Sequence, residues 1–111
     1  MNFKHILFLL SFALVVGSLN VYAADQSICS SGGNVALHNN GSLRTCELKD
    51  DYEANGIRCS KRSRAVFYDN GNLESCTLST TTTIGENRCD QFGLISFFPD
   101  GKLKSCMKPG N

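Results

Sequence analysis

The 111-residue chain contains only two histidines and two prolines, and no two of its six cysteines form a Cys-x-x-Cys pair. Without close cysteine pairs it lacks the ligand spacing of structural zinc sites and the motif of thioredoxin-like redox proteins. His38 is the only histidine beyond the N-terminal segment, and no nucleophile elbow or acid–base constellation surrounds it. The adjacent acids Asp50 and Asp51 lie in a linker, where turn chemistry accounts for them. The sequence therefore reads as a non-enzyme, with no catalytic, metal-ligating or cofactor-binding residue and no cofactor. Charge of either sign is also lacking in excess. Beyond residue 23 ten Lys and Arg face ten Asp and Glu, which argues against nucleic acid or an anionic membrane as the main partner.

The long apolar run Ile6 to Val16 follows Lys4 and His5, and the small or compact residues Val21 and Ala23 precede a cut site. This is the pattern of a secretory signal peptide over residues 1–23. The run is shorter than the ~20 residues a spanning helix needs, so no transmembrane segment is expected after cleavage. Residues 24–111 would then form a single exported domain of 88 residues, periplasmic or extracellular.

What the chain does have is a threefold repeat. Cys29, Cys59 and Cys89 open units of identical length that Cys46, Cys76 and Cys106 close, with sixteen residues inside each pair and twelve between units. Internal periodicity of this kind outranks any single motif in setting the fold. An even cysteine set in an exported chain predicts three disulfides. Two connectivities respect the repeat: pairs within units (Cys29–Cys46, Cys59–Cys76, Cys89–Cys106), or bonds across the linkers with Cys29 meeting Cys106. The first treats all three copies alike and is favoured.

Each unit (29–46, 59–76 and 89–106) reads as a β-hairpin. Asn39-Asn40-Gly41, Asp69-Asn70-Gly71 and Pro99-Asp100-Gly101 occupy matching positions between β-prone runs. The fixed φ of Pro99 suits the first central position of a type I turn, with Gly101 left-handed, which predicts a three-residue loop with a bulge. Residue 98 then faces 102, 97 faces 103 and 95 faces 105. One face would carry Val35, Leu37, Leu43, Ala65, Phe67, Leu73, Ile95, Phe97 and Leu103. The other would carry Arg44, Glu74 and Lys104 with Tyr68, Phe98 and Lys102. This register also places Cys46, Cys76 and Cys106 on the outer face, stapling the sheet from outside. The expected fold is all-β: three tandem 30-residue disulfide-stapled hairpin repeats in an antiparallel meander sheet of six to nine strands, with the linkers returning the chain.

The units Val66-Phe67-Tyr68-Asp69-Asn70-Gly71-Asn72-Leu73 and Ser96-Phe97-Phe98-Pro99-Asp100-Gly101-Lys102-Leu103 resemble the aromatic-aromatic-x-Asn/Asp-Gly-x-Leu hairpins of bacterial MORN-like repeat proteins of the YwqK-type antitoxin class. In the first unit His38 stands at an aromatic position. The resemblance implies stacked hairpins and a binding or scaffolding role, and it carries no catalytic residues. Two functions are expected from the chain as a whole. The first is an exported binding protein that contacts a protein or glycan at the cell surface or in the envelope, with Tyr68, Phe98, Arg44, Lys102 and Lys104 as its candidate surface. The alternative is a small disulfide-rich effector, a protease inhibitor or toxin, which should present one exceptional loop.

Overall fold

A computed structural model describes residues 25–108; the expected signal peptide, residues 1–23, lies outside them. The chain is all-β, as its repeats require. After a 3₁₀ turn over Gln26–Ile28 come ten strands: β1 (Ala36–Leu37), β2 (Leu43–Glu47), β3 (Tyr52–Ala54), β4 (Ile57–Cys59), β5 (Arg64–Phe67), β6 (Leu73–Thr77), β7 (Thr82–Ile84), β8 (Asn87–Cys89), β9 (Leu94–Phe97) and β10 (Leu103–Cys106). The three repeat hairpins build one antiparallel sheet in the order β1-β2-β5-β6-β9-β10. The strand count exceeds the expected six to nine because each linker folds into a hairpin of its own, β3–β4 and β7–β8, instead of simply returning the chain.

The repeat turns follow the expected geometry. Gly41, Gly71 and Gly101 have φ of 90°, 92° and 94°, in the left-handed region that costs glycine nothing. Their amides donate to the carbonyls of His38, Tyr68 and Phe98, and those residues donate in turn to Ser42, Asn72 and Lys102. In each turn the side-chain oxygen of Asn40, Asn70 or Asp100 accepts the amide two residues on. Asx bonding of this type makes the turn locally self-sufficient.

One step further into the hairpin the expected register fails. Phe97 does face Leu103, but Ser96 pairs with Ser105 and Ile95 with Cys106, because Lys104 is an extra, bulged residue. The second hairpin repeats the shift between Phe67↔Leu73 and Val66↔Ser75, which bulges Glu74. A one-residue slip turns every later side chain to the opposite face. The closing cysteines therefore point inward, and the disulfides lie inside the fold rather than on its outer surface.

The bridges join Cys29–Cys46, Cys59–Cys76 and Cys89–Cys106, the within-repeat pairing. Cys46, Cys59, Cys76 and Cys89 are buried in a core with Leu43, Ala65, Phe67, Leu73, Ile95 and Phe97. The linker hairpins lie over this face: Ile57 is buried in it, Ala54 and Ile84 pack against it, and the Tyr52 ring meets Phe67 edge-on at 6.2 Å. Paired glycine-type turns close these hairpins, Asn55-Gly56 with φ of 53° and 84° and Gly85 with φ of 62°, as two-residue β-hairpins prefer.

Leu48 and Leu78, at the start of each linker, are fully buried, each stabilising the fold by about 2 kcal/mol through burial alone. Their backbones are clamped on both sides. Leu48 donates to Ser63 and accepts from Arg62; Leu78 donates to Gly93 and accepts from Phe92. These paired bonds hold Arg62 and Phe92 at φ of 64° and 69°, a conformation bulky residues keep only where the surroundings over-determine it.

Candidate binding surface

The face of the sheet turned away from the disulfides is free of any described covering element. Register alone aligns Ala36, Thr45, Val66, Ser75, Ser96 and Ser105 in one row across all six strands. The row is uncharged and none of its members is buried. Strand alternation places Leu94 on the same face as Ser96. Leu94 accepts the amide of Met107, the residue after β10, so its exposed side chain stands beside another exposed apolar one. Beyond Ser96 along the strand stands Phe98, also exposed, with Lys104 Nζ 5.7 Å from its ring centroid.

Three of the five residues expected to form a surface thus come together: Phe98, Lys104 and, directly across the turn, Lys102. Tyr68 belongs to the adjacent hairpin and serves the fold. Its hydroxyl donates to the Phe97 carbonyl at 2.8 Å. The β6–β9 ladder ends at Ser75↔Ser96, so the bulge at Glu74 leaves that carbonyl without a strand partner and Tyr68 satisfies it. His38 does the same one repeat earlier, its Nε2 donating to the Phe67 carbonyl at 2.7 Å. Arg44 is exposed on β2, four strands from β10 in the sheet order, and is not part of the cluster. The residues missed by sequence reasoning are Leu94 and Met107; the outward position of Leu94 in the alternation Leu94-Ile95-Ser96-Phe97 was the available signal.

Electrostatic perturbation is modest. Burial, and then the charge of Glu74, raise the Tyr68 phenol above its ordinary value, and burial followed by Asp25 does the same for Tyr52. Hydrogen bonds from the Ser27 side chain and amide lower Asp25. A small cleft of about 190 Å³ lies between the linker hairpins and the repeat turns, lined by Ala54, Asn55, Ile57, Asn72, Leu73, Ile84, Phe97 and Gly101. None of its lining residues is ionisable, so it can enclose an apolar group but offers no acid or base. Among the described residues no cluster of three His, Cys, Asp or Glu side chains is placed to hold a metal ion, and no helix is long and apolar enough to cross a membrane. No family model, curated protein or solved structure matches the chain.

Proposed function

We propose that the protein is an exported, non-enzymatic binding protein that contacts a protein or glycan in the envelope or at the cell surface through the open face of its third repeat. The observation that carries this reading is the exposed set Leu94, Phe98 and Met107 on the uncovered face, flanked by Lys102 and Lys104. An apolar patch rimmed by polar groups is a common signature of an interaction site. Three disulfides suit an oxidising environment, and burying them in the core gives the surface a rigid support. The effector alternative draws less support, since the three repeat turns share one geometry and none is set apart as a reactive loop.

The test is site-specific photocrosslinking in cells that export the protein. A benzophenone amino acid in place of Phe98 should give one discrete adduct, whose yield falls with Leu94→Ser, while the same probe in place of Arg44 gives none. Equal labelling from both positions, or none from either, would remove the third repeat as the contact surface.

A further inference from the structure

The two outer edges of the six-stranded sheet differ in a way that assigns a partner to one of them. Val35 and Leu37, on the β1 side, hold the positions that Ala65 and Phe67 hold in the second repeat and Ile95 and Phe97 in the third. Those four are 0%, 2%, 0% and 7% exposed, because the preceding repeat's strand lies alongside them and a linker hairpin lies over their face. Val35 and Leu37 are 38% and 43% exposed, since among the described residues neither a strand nor a linker hairpin precedes them. Core-type side chains are thus left at an edge.

Among the described residues the backbone at this edge is unpaired in the same sense. Phe67 and Phe97 turn their carbonyls toward the preceding repeat, where His38 and Tyr68 donate to them. By the same repeat geometry the Leu37 carbonyl faces outward. Proteins commonly blunt such edges with charge, especially lysine, or with proline. The far edge is blunted in this way: Lys102, Lys104 and Lys108 surround β10, and Pro109 follows in sequence. That edge also lacks the donors a further repeat would need, with Phe98 in place of Tyr68 and Asp100 in place of Asn70. The β1 edge carries no Lys, Arg, Asp or Glu anywhere between Cys29 and Arg44.

We propose that the β1 edge pairs with the β1 edge of a second copy in a closed two-fold dimer. Antiparallel pairing about Ala36 sets Val35 opposite Leu37 of the second copy, twice. Both are core-face residues, so the contact is self-complementary, as an isologous interface must be. Val35 and Leu37 also present outward N–H and C=O groups, which become two hydrogen-bonded pairs of an antiparallel ladder. The six-stranded sheets join into one of twelve strands, with the third repeats at opposite ends. This inference stands independently of what the third repeat binds.

Sedimentation velocity of the exported, processed protein tests it. The expected result is a species of twice the chain mass that dissociates on dilution. Val35→Lys places like charges across the two-fold axis and should weaken the dimer about a hundredfold or more. Val35→Pro, which removes only an outward-facing amide, should also yield monomer, while Ser105→Lys on β10 should leave the dimer intact. Peptide mapping of the three disulfides in every variant separates loss of pairing from loss of fold. A monomer at the highest attainable concentration overturns the proposal, as does a dimer insensitive to both Val35 changes. Species that grow beyond two chains and are broken by Ser105→Lys would overturn it in favour of head-to-tail addition.

Discussion

The second and third repeats share the same turn, bulge and within-repeat bridge, yet three of the equivalent positions at which they differ bear on coupling between repeats: Tyr68 against Phe98, Asn70 against Asp100, and Leu78 against Lys108. Each of these three tracks whether a described repeat lies alongside. Tyr68 donates to the Phe97 carbonyl and Asn70 to the Pro99 carbonyl; among the described residues no strand follows β10 for Phe98 and Asp100 to serve, and they carry no side-chain N–H or O–H for the purpose. Asp100 keeps the half of the asparagine's role that is local, accepting the Lys102 amide. Leu78 is sealed under a linker hairpin, whereas Lys108 stands in solvent. In a repeat sheet, local turn chemistry recurs in every copy, and coupling chemistry only where there is something to couple.

The largest test of this contrast compares two phenylalanines. Phe67→Ala should destabilise by about 3–5 kcal/mol, the usual loss for aromatic truncation in a core. Phe98→Ala should stay within about 0.5 kcal/mol, as surface changes do; similar losses in chemical denaturation would mean that Phe98 is structural. Replacing Cys59 and Cys76 together by serine removes the central bridge and should cost about 3 kcal/mol, seen as a lower Tm without loss of the other two bridges. A smaller effect, about 1 kcal/mol, is expected for Tyr68→Phe, which deletes one hydrogen bond; Phe98→Tyr should change nothing, since no described strand follows β10 to offer the new hydroxyl a carbonyl. An equal effect from both would break the coupling argument.

The smallest prediction concerns pH. Tyr68 and Tyr52 are both raised in the folded state, so the stability this contributes is fully present below the unfolded phenol's value of about 10 and is lost as pH rises through the higher folded values. Stability measured by urea titration should therefore fall above about pH 10. The fall should be shallower in Tyr68→Phe, with the remainder due to Tyr52.

The turns, the within-repeat bridges and the core positions Ala65, Phe67, Ile95 and Phe97 were legible because period, turn residues and alternation all point the same way. The face of Cys76 and Cys106 was not, since nothing in Leu73-Glu74-Ser75 or Leu103-Lys104-Ser105 marks a bulge, and a single bulged residue inverts everything after it. Leu48 and Leu78 escaped for a related reason: their burial depends on linker hairpins whose strands are only three residues long, too short to establish a period. Of the candidate surface, Phe98, Lys102 and Lys104 were found through their place in the turn. Tyr68 and Arg44 were grouped with them because alternation assigns a face but not a neighbour. The pairing of polar His38 and Tyr68 with apolar Phe98 at one repeat position was the clue to the coupling role.

Burial of the Cys29–Cys46 and Cys59–Cys76 bridges in the core bears on how the protein comes to be made. Once the sheet has closed, an oxidant or isomerase has little access to a misplaced bridge, so pairing has to be correct while the chain is still open. Chain statistics give almost no guidance then. Cys46 is 17 residues from Cys29 and 13 from Cys59, and the entropy of loop closure separates those choices by only about 0.2 kcal/mol, in favour of the wrong one. The hairpin turns at Gly41, Gly71 and Gly101 favour the right choice, since each turn folds its own pair of cysteines toward one another.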